Sequence, residues 1–466
     1  MVFSSFVFLF VFFPVVFLVY YALPKKFRNA FLLLSDLVFY GWGEPVLIAL
    51  MLGSIVFNYF VGLLLEKFDG SVKKRKAVLL VSLAVDLGLL AFFKYADFAV
   101  RNLNALLPAA NLALPHIPLP VGISFYTFQI MSYTIDVFRH ETKAQRSIVA
   151  FGTYVSLFPQ LIAGPIVRYR DVDDQLQFRR ENLPQIERGV QLFLLGLAKK
   201  VLLANPMGAL WDELRNTTDG GALAAWCGVI AFSLQIYFDF SGYSDMARGL
   251  GNLFGFSFLK NFDYPYVSKS ITEFWRRWHI SLGTWFREYV YIPLGGNRRG
   301  KARQIVNILI VWMLTGLWHG ASWNFVLWGL YFGVLLILEK LFLLKVLQKL
   351  PTVFSRVYAL LFIALGWVLF YFDDGVGGFA ALRAFVPRLF TGGLLSADAA
   401  SVLLAALPLL LIAFVASTPL IRRCYDRLSG KKIFPALQTA AAAAVLLLST
   451  ASLVSDAYNP FLYFKF

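Results

Sequence analysis

The chain has 466 residues, of which 59% are hydrophobic and only 15% charged, and its mean hydropathy is +0.67. An ordinary soluble fold cannot cover that much apolar surface, so composition alone assigns the chain to a membrane. The formal charge of +16 does not read as nucleic-acid binding, because the basic residues fall in short loops between apolar segments, where they act as topology signals and lipid-headgroup contacts. Two distant cysteines, Cys227 and Cys424, and four histidines offer neither a disulfide scaffold nor a cysteine zinc site, so no metal is expected.

Apolar segments run over approximately 5–23, 29–41, 45–65, 77–93, 119–138, 147–167, 186–204, 222–241, 304–318, 321–338, 354–372, 401–420 and 433–454. A spanning helix needs about 20 residues, so the chain has room for on the order of ten to twelve spans and no large soluble domain. The expected fold is all-α and polytopic, a single membrane-embedded domain over 1–466, without internal repeats. The first apolar run lacks a basic segment before it and reads as a retained span rather than a cleaved signal.

Lys25, Lys26 and Arg28 follow the first span, and Lys73, Lys74, Arg75 and Lys76 precede the fourth. The positive-inside rule puts both loops, with Arg139, His140, Lys143 and Arg146, in the cytoplasm and the N-terminus outside. Segment 147–167 then disturbs the alternation, because Arg168, Arg170, Arg179, Arg180 and Arg188 follow it. Its run Phe158-Pro159-Gln160-Leu161-Ile162-Ala163-Gly164-Pro165 suits a broken, re-entrant element, and a proline-kinked ordinary span is the alternative. The least apolar stretch, 260–304, is assigned to the cytoplasmic side. A last basic loop at 422–432 leaves the C-terminal residues 458–466 outside.

Three groups of residues could carry chemistry. At the end of an apolar span, Gln235-Ile236-Tyr237-Phe238-Asp239-Phe240-Ser241-Gly242-Tyr243-Ser244-Asp245 gathers two carboxylates and several hydroxyls. Asp239 could orient an imidazole or an acyl carrier, or pair with arginines of 276–303. Ser241, Tyr243 and Asp245 are site candidates with it. In 273–289, helical spacing puts Trp275, Trp278, His279, Leu282, Phe286 and Tyr289 on one face. Arg276 and Arg277 with Trp278 then read either as an interfacial anchor or as a phosphate-binding collar for a nucleotide-bearing donor.

His319 lies in Gly316-Leu317-Trp318-His319-Gly320-Ala321-Ser322-Trp323-Asn324, between two apolar segments. Helical travel from Gln304 carries it about 22 Å into a core roughly 30 Å thick. An ionisable group at that depth marks either a functional site or a neutral histidine bonded between helices. Histidine can accept a hydroxyl proton near neutral pH, which O-acylation requires. Trp318 and Asn324 are further candidates beside it.

Taken with Leu119-Pro120-Val121-Gly122-Ile123-Ser124-Phe125-Tyr126, Leu161-Ile162-Ala163-Gly164-Pro165, Ser270 to Leu282, Leu294 to Arg298 and Trp318-His319-Gly320, these segments resemble the membrane-bound O-acyltransferase family, in its alginate O-acetylation branch. The resemblance implies that His319 is the essential catalytic histidine and His279 the second characteristic polar position. It implies a many-helix fold around a central tunnel, a bacterial inner-membrane location, an acetyl donor such as acetyl-CoA with no tightly bound cofactor, a polysaccharide acceptor and an outer-face SGNH-type partner transferase. D-alanyl or lipid acyl transfer is the alternative within the class, and a secondary transporter the alternative outside it. No family motif is read over 340–435.

Overall fold

A computed structural model describes residues 1–162, 164–217, 219–455 and 461–462, so most of the C-terminal stretch 458–466 expected outside, 458–460 and 463–466, lies beyond the described residues. Every regular element among them is helical. Seven helices are long and apolar enough to cross a bilayer: Ile48–Lys67, Val72–Leu106, Leu183–Asn216, Ala222–Leu253, Thr352–Tyr371, Ala397–Ala416 and Phe434–Ser455. The other expected spans are shorter, among them Arg28–Gly41 with 14 residues and Lys301–His319 with 19. At 1.5 Å per residue such helices rise only about 20 to 28 Å. The chain is therefore an all-α, multi-pass membrane protein. Leu404, Phe414, Leu447 and Leu448 stand exposed on the last two spans, an apolar surface suited to lipid tails.

The helices gather into two compact units, one formed by Met1–Phe193 with Ser244–Leu259, the other by Leu194–Tyr243 with Lys260–Phe466. In the first unit, Phe3, Phe8, Phe12 and Phe39 surround Phe158, with ring centroids 5.4 to 6.4 Å from it. Phe158 opens the short second half of segment 147–167. That segment is helical over Ile148–Ser156, breaks at Leu157, and resumes for one turn at Phe158–Leu161. The buried carboxylate of Asp36 accepts the Phe158 N–H at 2.8 Å, supplying the acceptor that the interrupted helix has lost. Gly122 sits at φ +77° with its Cα against the Leu161 carbonyl, where an added Cβ would fall 2.7 Å from that oxygen. Two of the sequence motifs thus meet backbone to backbone.

The segment leaves where it entered. Gln145, just before it, donates to the Tyr169 hydroxyl at 2.9 Å, and Thr142 donates to Asp173 at 3.1 Å. Nine residues of helix rise about 14 Å, less than half of a bilayer core, before the break. Of the two readings open at the sequence level, the re-entrant one is the one found. The basic loops converge at this same end: buried Arg75 donates to the carbonyls of Val137 and Phe138 at 2.9 and 3.0 Å and pairs with Asp69 at 2.9 Å.

The second unit is organised by a tight helical hairpin, Lys301–His319 followed by Trp323–Leu338. Glycines set its spacing. A Cβ on Gly316 would fall 2.2 Å from the Phe325 carbonyl oxygen, and one on Gly329 would fall 2.2 Å from that of Trp312. Only hydrogen fits at either position, the small-residue contact by which membrane helices approach closely.

Candidate active site

The hairpin delivers His319 to a defined place. It is the last residue of its helix, followed by extended Gly320, whose Cα lies so close to Phe325 that an added Cβ would meet the ring at 2.2 Å. Ser322 then stands at the N-cap position of the return helix, its hydroxyl donating to Asp374 at 3.1 Å. Asn324 holds the same turn from below, its amide 3.4 Å from the carbonyls of Leu369 and Phe370. The imidazole of His319 is 6% exposed and is walled edge-on by Trp318, Trp328 and Phe370, at 5.0, 5.0 and 5.3 Å between ring centroids. Aromatic walls of this kind hold a ring in one orientation and keep water out.

The stretch carrying His279 differs from the continuous amphipathic helix expected. It is helical over Ile271–Arg277, extended at Trp278, left-handed at His279 with φ +47° and ψ +53°, and helical again over Ile280–Phe286. A left-handed backbone at a residue with a Cβ costs energy and persists only where surroundings fix it. Asn261 does so: its carbonyl accepts from the Ile280 N–H at 3.0 Å, and its side-chain oxygen accepts from the Ser281 N–H and hydroxyl at 3.1 and 3.0 Å. The Asp263 N–H closes the other side on the Arg277 carbonyl at 2.9 Å.

The break turns His279 inward, so that the six residues assigned to one face no longer share it. The imidazole is 2% exposed and packs on Phe240 at 4.7 Å and Trp318 at 5.8 Å. Burial pushes its pKa down to about 3, so it is neutral at ordinary pH and holds a proton only weakly. Trp318 thereby touches both histidines, and the two candidates far apart in sequence belong to one aromatic cluster.

The remaining candidates separate by environment. Trp278 is buried among Phe262, Phe274 and Trp367, at 5.0, 5.5 and 4.8 Å, as part of the protein's own packing. Arg277 pairs with Glu273 at 3.0 Å and Asp263 at 3.3 Å, whereas Arg276 is exposed and makes no ion pair among the described residues. Asp239 pairs with neither an arginine of 276–303 nor an imidazole. Its partner is Lys200, whose Nζ lies 2.6 Å away, both side chains almost wholly buried, and its second oxygen accepts the Leu462 N–H at 2.7 Å. Ser241 is buried beside it, Tyr243 packs on Phe461 at 4.6 Å, and Asp245, in the first unit, pairs with Arg248 at 3.0 Å.

Two contributing residues carry no signal in the sequence reading. Lys200 lies in a widened helical turn, Lys199–Ala204, inside an apolar run. Glu339 lies in another, Glu339–Leu343, and its buried carboxylate accepts the N–H groups of Ile271 and Thr272 at 2.7 and 2.8 Å. It anchors the first turn of the helix that leads to Arg276, Arg277 and His279.

A buried histidine at the head of a glycine-packed hairpin thus shares one aromatic cluster, through a tryptophan, with a second buried histidine within a multi-pass helical fold. The membrane-bound O-acyltransferase family model matches residues 5–373, and the chain belongs to that family. It is an O-acyltransferase, which removes the transporter alternative. The match also runs through 340–373, where the sequence alone offered no motif.

Relatives extend the comparison. The protein named "Probable alginate O-acetylase AlgI" is 43% identical in Azotobacter vinelandii, over 79% of this chain and 75% of that one. The protein of the same name in Pseudomonas putida is 38% identical over the full length of both. A "Peptidoglycan O-acetyltransferase" of Helicobacter pylori is 34% identical over 79% of this chain and 77% of its own.

Proposed function

We infer that the protein transfers an acetyl group from a cytoplasmic donor, acetyl-CoA, toward a polysaccharide hydroxyl on the far side of the membrane, with alginate as the acceptor class. The observation that carries the chemistry is His319, buried at the hairpin turn and in contact through Trp318 with neutral His279. In the transfer, the hydroxyl proton passes to His319 as the new C–O bond forms, the thioester C–S bond breaks, and the thiolate leaves with a proton returned from the imidazole. The relatives sharing the full length or four-fifths of this chain support acetyl and alginate. The peptidoglycan enzyme supports acetyl but a different glycan.

The orientation follows from charge: the joined basic loops face the cytoplasm and the N-terminus the outside, in the bacterial inner membrane. The hydroxyl acetylated at His319 is supplied by an outer-face SGNH-type transferase, which carries the acetyl group on to the polymer. In this reading Arg276, exposed and without an ion pair among the described residues, meets the donor's phosphates. Bacteria carrying the gene and its deletion, supplied with alginate or peptidoglycan synthesis, test the reading through the O-acetyl content of each polymer. Loss of acetyl from alginate in the deletion supports it; unchanged alginate acetylation with loss from peptidoglycan reassigns the acceptor; no change in either removes the function.

A further inference from the structure

In the first unit, a cavity of about 740 Å³ opens at the end where the basic loops converge. It is assembled from four places in the sequence: the turn after the first apolar helix, Glu66 at the end of helix Ile48–Lys67, the 139–147 loop with the start of the helix after it, and the helix Tyr169–Phe178 with the residues after it. Six cations line it against three carboxylates. None of these residues belongs to the unit that holds His279 and His319.

The lining cations fall into two groups. Three are consumed in building the walls. Arg28 pairs with Glu181 at 2.8 Å, Arg179 donates to the Tyr20 hydroxyl at 2.9 Å and to Asn29 at 2.6 Å, and Arg146 pairs with Glu66. The third carboxylate, Asp173, accepts from Tyr169 at 2.7 Å and from Thr142 at 3.1 Å. These bonds satisfy every carboxylate of the cavity. They leave Lys25, Lys26 and Lys143 without an ion pair among the described residues, all three exposed and lining one space from two separate loops. The local charge is thus not cancelled, and the fixed walls keep it focused.

Topology signalling explains why lysines occur in these loops, but it does not require them to converge on a preformed cavity. Three uncompensated ammonium groups around a space in the range of ligand pockets match a ligand bearing two or more phosphate charges. We propose that this cavity is a phosphate-binding site, separate from the acyl-transfer histidines, that takes either the headgroup of an anionic phospholipid or the phosphates of a soluble cytoplasmic compound. It goes beyond the acetyl-transfer reading and does not depend on it.

The test uses the full-length protein in neutral detergent and in lipid nanodiscs. In detergent, inorganic pyrophosphate is titrated and followed by calorimetry. In nanodiscs of phosphatidylcholine with and without one-fifth phosphatidylglycerol, enrichment of phosphatidylglycerol around the protein is measured by native mass spectrometry. Wild type is expected to bind at least one probe, more weakly in 0.5 M salt. Each lysine should contribute about fivefold, so Lys25→Gln, Lys26→Gln and Lys143→Gln together should cost about a hundredfold. The corresponding triple arginine variant keeps the charge and should retain binding. Loss of pyrophosphate binding identifies a soluble ligand, and loss of lipid enrichment a headgroup. Wild type that binds neither probe, or a triple glutamine variant that binds as wild type does, overturns the proposal. All of these lysines are exposed, so the folded yield of the variants, checked by size exclusion, should match wild type.

Discussion

The ring centroids of His279 and Trp318 lie 5.8 Å apart, with His279 held in a left-handed backbone at φ +47°. The consequence is a histidine held neutral by burial. In the unfolded chain His279 takes a proton near its ordinary value of about 6.5, and in the folded protein only near 3. Between these values the unfolded state binds more protons, so stability is intact above 6.5 and falls as pH drops, by on the order of 1.4 kcal/mol per pH unit. Asparagine tolerates the left-handed backbone but does not titrate. The thermal midpoint of wild type should therefore fall more between pH 7.5 and pH 5 than that of His279→Asn. Equal falls would show that the folded protein does not exclude the proton from this site.

Glu339 acts at a distance from the histidines, through the start of helix Ile271–Arg277. Its carboxylate accepts two backbone N–H groups and the Tyr358 hydroxyl at 3.2 Å. Glutamine in its place keeps one acceptor oxygen and adds a donor facing donors, and alanine removes both oxygens. Each unsatisfied buried N–H costs about 1 to 3 kcal/mol. Glu339→Gln should lower the unfolding temperature measurably and Glu339→Ala should lower it further, with acyl transfer falling in the same order. A wild-type melting curve for the alanine variant would show that the helix start is satisfied in another way.

The sequence made some of this legible for physical reasons. The re-entrant segment was readable because Pro159 and Gly164 sit mid-run and arginines follow it, so both the backbone and the charge pattern reported the same reversal. The hairpin that presents His319 was readable from two apolar runs with Gly-Leu-Trp-His-Gly between them. The break at His279 was not. Its spacing of aromatics is that of a helix, and the residue that interrupts it, Asn261, lies 20 positions before Ser281 and acts only once the fold brings it there. Asp239 shows the same limit. Its lysine partner sits inside an apolar run where hydropathy hides it, and nothing local distinguishes Lys200 from Lys199.

Arg276 and Arg277 are neighbours with different work. Arg277 is committed to Glu273 and Asp263 and thereby braces the strand-like turn beside His279. Arg276 is exposed and uncommitted among the described residues. A charge-assisted bond to a donor phosphate contributes about 1.5 to 3 kcal/mol, or roughly ten- to a hundredfold in affinity. Arg276→Gln should raise the KM for acetyl-CoA by such a factor with an unchanged melting temperature, while Arg277→Gln should lower the melting temperature first. If Arg276→Gln leaves KM untouched, the donor is held elsewhere and this arginine is a headgroup contact.

The proposed base is His319. Its ring is walled by three aromatic neighbours at a turn that Gly316, Gly320 and Gly329 allow to close. Removal of a positioned base typically costs about 100- to 10,000-fold in rate. His319→Ala should therefore bring acyl transfer close to background while the protein still inserts and folds. His319→Gln should behave alike, because an amide fills much of the imidazole's space and can hydrogen-bond but cannot take the hydroxyl proton. The measurement is acetyl transferred to the extracellular glycan per unit of folded protein in the membrane, with folding followed by detergent size exclusion. Trp318→Phe provides the matched control: it keeps an aromatic ring between the two histidines and should retain transfer within about tenfold if the ring only positions them. Near-normal transfer by His319→Gln would remove the base from the mechanism and leave this histidine as packing between helices.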